Sequence, residues 1–220
     1  MNLELICKNI SNSLKNELNL DEDKRSIIEY GLYAVLHMII SILLVGIFGK
    51  ILGVMFEALI ISFVEAVLRK YSGGVHASTP FNCIVLGIIV AVLPAYLIKN
   101  INLNIIYIIF VGVIIYIASL SIIYKLAPVD SPNKPIKKEE KIKRLKKRSI
   151  IILSIYMIIV ICNLIMYYTS KNNIFLIYST CIYAGILWQV FTLTRYGHIV
   201  VNILDSLLIK ILKMIGVRKK

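Results

Sequence analysis

Six apolar runs, at about 31–49, 51–68, 82–98, 103–124, 149–168 and 174–194, dominate this chain of 220 residues. Each is long enough, or nearly so, to cross a hydrocarbon core of about 30 Å, which takes roughly 17–25 helical residues. Inside a bilayer no water satisfies exposed backbone groups, so a spanning segment must be a helix or part of a closed barrel. These runs lack the strict alternation of a lipid-facing strand, which leaves helices. The chain is 59% hydrophobic, against about 45–50% for a soluble domain, and the excess sits in the runs rather than in periodic faces. The first two runs are separated only by Gly49 and Lys50, and the third is short and contains Pro94. The expected fold is all-α and polytopic, one membrane-embedded domain over 1–220 with about six transmembrane helices.

The two ends differ from the spans. In residues 1–20, Leu3, Ile6, Ile10, Leu14 and Leu18 recur every three to four residues with lysines and asparagines between them. That pattern predicts an amphipathic interfacial helix, with no apolar core or cleavage site of a signal peptide. Asp21, Glu22 and Asp23 then read as a helix N-terminus, where acidic groups meet the positive end of the dipole. Residues 199–216 predict a second amphipathic helix, with Val200, Ile203, Leu204, Leu207, Leu208, Ile211, Leu212 and Ile215 on one face and Asp205, Lys210 and Lys213 off it.

Charge sets the expected orientation. With the N-terminus inside, 22 of the 25 lysines and arginines fall on inner segments, and only Lys50, Lys99 and Lys171 lie outside. Cationic residues in short loops mark the cytoplasmic side, so both termini and the loop after the second run are expected there. The net charge of +13 reads as this topology signal plus attraction to anionic lipid. It does not point to nucleic acid, because the charges flank spans and no nucleic-acid motif is present. The central segment 125–148 holds ten of these cations behind Pro128, Pro132 and Pro135. It reads either as a topogenic, lipid-touching loop or as a docking surface for an acidic peptide.

Between the second and third runs lies RKYSGGVHASTPFNC, residues 69–83, with His76 and Cys83 seven positions apart. A free thiol titrates near 8.5; an imidazole or a helix N-terminus beside it makes a nucleophile. Ser78 or Thr79 can cap a helix with Pro80 at its first position, which places Cys83 at the end of the first turn. In one continuous helix the two groups would be about 10.5 Å apart along the axis, so the chain must fold back, as Gly73, Gly74 and Pro80 allow. Glu65 is spaced to pair with Arg69, and Glu65, Ser72 and Asn82 are candidates to orient His76. Backbone amides around Asn82 and Cys83 are candidate oxyanion donors. No phosphate-binding glycine loop or metal-ligand cluster is present, so no cofactor and no metal are expected.

RKYSGGVHASTPFNC together with a second block, LAPVDSPNKPI, followed by the basic run, resembles the accessory gene regulator B family. These are membrane cysteine endopeptidases that mature quorum-sensing peptides in Gram-positive bacteria. The resemblance covers nearly the whole chain. It implies a cell-membrane enzyme with its site at the cytoplasmic face, and a short amphipathic propeptide substrate with an acidic C-terminal tail. Cys83 would attack the signal–tail junction, His76 would activate the thiol, and the acyl-enzyme thioester would resolve by thiolactone or lactone closure. Gly74 is carried over as a conformational requirement. Arg69, Lys70, Lys134, Lys137 and Lys138 are the implied substrate contacts, and a homodimer is the implied assembly. Two other classes fit six spans and basic loops. A non-enzymatic peptide exporter or receptor would not need Cys83, and another membrane hydrolase would use Ser72 or Ser78.

Overall fold

The computed structural model describes residues 3–129 and 138–214. They form eight α-helices: α1 Leu3–Leu18, α2 Glu22–Ile51, α3 Met55–Ser72, α4 Pro80–Lys99, α5 Ile105–Leu126, α6 Glu139–Ser170, α7 Ile174–Phe191 and α8 Arg195–Met214. The described residues contain no strand, so the all-α expectation holds. Two compact units divide at Leu44 and Val45, inside α2.

In the first unit the amphipathic α1 turns at Asn19, whose φ is +48°. The acidic triplet starts α2 as expected: the Asp21 side chain accepts from the Lys24 amide at 2.7 Å. Lys15 pairs with Glu22 at 2.5 Å, and Arg25 pairs with Glu22 and Glu29 at 2.5 Å each.

In the second unit α3 packs against α4, α6 and α7, and α7 also packs against α4, α5 and α6. The α3–α7 approach is close because Gly185 has no side chain; a Cβ there would lie 2.9 Å from the Ile61 carbonyl oxygen and from Val64. Small residues let helix backbones approach in this way. Around this contact Val64, Leu68, Leu153, Val160, Ile186 and Val190 are buried in one cluster. A second cluster joins Val54, Ala58 and Ile61 to Ala91 and Ala95 of α4. At the far end of these helices Lys99 pairs with the buried Glu57 at 3.2 Å.

Among the described residues five helices are long and apolar enough to cross a membrane: α2, α4, α5, α6 and α7. The second expected span is the exception. It becomes α3, displaced along the chain because Gly53, at φ +70°, turns the backbone after α2. α3 carries Glu57, Glu65, Arg69 and Lys70. Its neighbours are helices rather than lipid on several sides, which is the setting in which membrane proteins tolerate such charges. The basic run also differs from expectation. From Glu139 onward it is the first turns of α6 rather than loop, with Glu139 and Glu140 at the positive dipole end.

Candidate active site

The start of α4 follows its sequence. Thr79 accepts from the Asn82 amide at 3.1 Å, and Pro80 occupies the first turn. The Cys83 amide donates to the Thr79 carbonyl at 3.0 Å, leaving the half-buried thiol at the end of that turn. Both amides expected to bind an oxyanion are therefore already occupied, that of Asn82 by the Thr79 side chain and that of Cys83 by the Thr79 carbonyl. The amide facing the Cys83 sulfur is instead that of Ala77.

The fold-back between His76 and Cys83 begins at Gly73 and Gly74, with φ of +69° and +135°. A Cβ at Gly74 would also lie 2.6 Å from Thr192 Oγ1, so both backbone conformation and space call for glycine. The loop is then tied on three sides. The Val129 amide donates to the Ser72 carbonyl at 2.9 Å, and the Val75 amide to the Thr192 carbonyl at 3.3 Å. Gln189 Nε2 donates to the Gly73 carbonyl at 2.7 Å and to Ser72 Oγ at 2.9 Å. The Val129 contact brings the two sequence blocks together in space.

Arg69 is the centre of the site. Its Nη2 pairs with Glu65 at 3.1 Å, Nε donates to Gln189 Oε1 at 2.9 Å, and Nη1 donates to the Val75 carbonyl at 3.2 Å. Nη1 also faces His76 Nδ1 at 3.5 Å. Cys83 lines a cleft of about 40 Å³ with Arg69, Val75 and Ala77, and Trp188 and Glu65 line the same cleft. His76 is joined to this cleft through Arg69.

Electrostatically, crowding by surrounding protein and then the Arg69 guanidinium push the His76 imidazole down to about 4. The residue is exposed, so water tempers the size of this shift while the direction stands. With Arg69 donating, Nδ1 is the accepting nitrogen, and the proton of the neutral ring sits on Nε2.

The other expected residues are placed as follows. Glu65 reaches His76 only through Arg69. Ser72 is fully buried and its hydroxyl donates to the Leu68 carbonyl at 3.0 Å, which disfavours it as a nucleophile. Asn82 is turned to Asp205, with Nδ2 donating to Oδ1 at 2.6 Å. Arg69, expected as a substrate contact, has a side chain only 18% exposed and is held by protein partners. Lys70 is exposed and lies 5.7 Å from the centre of the Tyr71 ring; Arg148 lies 5.8 Å from the same ring. Lys138 is exposed at the start of α6. Lys134 and Lys137 lie outside the described residues.

Two residues of the site escape the sequence reading. Gln189 looks like one polar residue in an apolar span. Asp205 looks like part of the polar face of α8, yet it is only 7% exposed, while Ile203, Leu207 and Ile211 of the apolar face are open. The available signal was that Asp205 is the lone carboxylate in an otherwise basic helix.

The family model for accessory gene regulator B matches residues 7–193. An AgrB-like protein of Clostridium perfringens strain 13 is 40% identical over 213 residues, 96% of this chain and the whole of that protein. A second, from strain SM101, matches to the same extent. An AgrB-like protein of Listeria innocua is 28% identical over 131 residues, 60% of this chain and 62% of that protein. No solved structure matches the chain. The chain belongs to the accessory gene regulator B family.

Proposed function

We propose that the chain is a membrane cysteine endopeptidase that removes the C-terminal tail of a quorum-sensing propeptide and promotes ring closure of the signal. The supporting observation is Cys83 at a capped helix start, in a cleft it shares with Arg69, whose guanidinium also faces His76.

The depressed imidazole is neutral at pH 7, so His76 acts as a general base rather than as a standing cation beside a thiolate. As Cys83 Sγ attacks the scissile carbonyl carbon, the thiol proton passes to Nδ1 and the long Arg69 contact is given up. The carbonyl oxygen becomes an oxyanion, for which the Ala77 amide and Arg69 are the donors at the cleft. Collapse of the tetrahedral species breaks the peptide bond. The imidazolium returns its proton to the leaving amine, and a thioester to Cys83 remains. A thiol or hydroxyl within the propeptide then attacks that thioester, closes a thiolactone or lactone, and regenerates the Cys83 thiol. Thiolactone closure exchanges one thioester for another and needs no nucleotide.

The site lies where the C-termini of α3, α5 and α7 meet the N-terminus of α4. This is the end that the charge distribution assigns to the cytoplasm. We place the acidic tail of the propeptide against the basic start of α6.

Cys83→Ala and His76→Ala should each reduce propeptide cleavage by about 10³-fold or more, as removal of members of a catalytic unit does, with normal membrane insertion. Cleavage that persists in Cys83→Ala would reject the mechanism.

A further inference from the structure

We infer that Asp205 is a positioning residue for the reaction proposed above, and that α8 thereby fixes the start of the helix carrying the nucleophile. The Asp205 carboxylate uses both oxygens on α4 and its approach. Oδ2 accepts from the Ser78 amide at 3.2 Å, and Oδ1 accepts from Asn82 Nδ2 at 2.6 Å. These donors flank the Thr79 cap, and Asn82 directly precedes Cys83. A buried carboxylate is unfavourable unless it is hydrogen-bonded, and here the bonds combine with the positive end of the α4 dipole. Moving the carboxylate therefore moves the turn on which Cys83 sits.

The geometry of α8 makes this contact specific. Its buried residues are Gly197, Val201 and Asp205, four apart along one stripe. Val201 lines the same cleft as Cys83. Gly197 allows α8 to start tightly against the end of α7, since a Cβ there would lie 3.0 Å from the Thr192 Cα. Thr192 in turn holds the Val75 amide. The α7–α8 corner thus grips the catalytic loop on one side of His76, through Val75, and again beyond it, at Ser78. α8 lies beyond residues 7–193, the part matched by the family model.

Asp205 acts through Ser78 and Asn82 rather than on the imidazole, and this separates it from a third member of a catalytic triad. Its loss should lower kcat while leaving KM and the acid limb of the pH profile in place. A carboxylate that oriented or charged His76 would shift that limb.

The test uses the full chain in nanodiscs, with a propeptide that the parent chain cleaves, and amide hydrogen exchange of residues 76–83 as a second readout. Asp205→Ala should lower kcat by about 10–100-fold, the scale expected when a reacting group is displaced by about 1 Å. KM should stay within about twofold, and the amides of Ser78, Thr79, Phe81, Asn82 and Cys83 should exchange faster. Asp205→Asn alone should also fail, because its amide group opposes one of the two donors. The pair Asn82→Asp with Asp205→Asn reverses the side-chain bond and keeps an oxygen for the Ser78 amide. It should recover most of the lost kcat and the slow exchange. Parent-like kcat in Asp205→Ala, while Cys83→Ala is inactive, overturns the positioning role and leaves the proposed function standing. Cleavage by Cys83→Ala removes the proposed function and this role with it. If Asp205→Ala does not insert, the paired variant decides: no recovery over Asn82→Asp alone overturns the inference.

Discussion

At His76 the protein holds an imidazole against both crowding and a guanidinium, and this has a sign that can be measured. The ordinary value of 6.5 falls to about 4, so below pH 6.5 the unfolded chain binds a proton that the folded chain refuses. The stability linked to His76 is complete above about 6.5 and declines as pH falls toward about 4. For the same reason the acid limb of kcat/KM should lie below 6.5. A limb at or above that value would show that the imidazole is not held neutral. The Thr79 cap was legible in the sequence because it depends on Asn82, three positions on, whereas His76, Cys83 and Gly74 were singled out through the family resemblance, and the contact that crowds Gly74 comes from the distant Thr192. Gln189 and Asp205 were not legible, because their partners lie 117 and 123 residues away. A polar residue in an apolar helix becomes interpretable only when packing shows what it faces.

At the scale of elements, hydropathy located five spans well, because lipid contact is a property of the helix itself. α3 falls short of the same measure of length and apolarity because it carries Glu57, Glu65, Arg69 and Lys70, and in α8 the stripe that packs on protein is Gly197, Val201 and Asp205, while the apolar face expected of an interfacial helix is open. The basic start of α6 is also better seen as helix than as loop. Helical register gives it a defined surface: Lys138, Lys141, Lys143 and Lys147 are exposed, while Lys146 lies 5.4 Å from the Tyr124 ring centre. Replacing Lys137, Lys138 and Lys141 together by Gln should raise KM for the propeptide by about 3–30-fold with little change in kcat. This assumes exposed pairs worth roughly 0–1 kcal/mol each. Added salt should have the same effect on the parent chain. A salt-independent KM, unchanged in the triple variant, would leave this surface without a role in recognition.

For the whole molecule the orientation proposed from charge is open to direct labelling. In a background lacking the native cysteines, Lys171→Cys should react with a membrane-impermeant thiol reagent added to intact cells, and Lys138→Cys should react only after lysis. The reverse pattern would invert the topology and put the site outside. The clamp on the catalytic loop also bears on the order in which the molecule is made. Chains are synthesised from the N-terminus at about 5–20 residues per second. The 123 residues between Asn82 and Asp205 therefore take about 6–25 s to appear. Throughout that interval the thiol is present but its helix start is not yet held. With the positioning role proposed for Asp205, the full rate of processing arrives late: a nascent copy that stalls before Asp205 keeps its cysteine and lacks the contact that aims it.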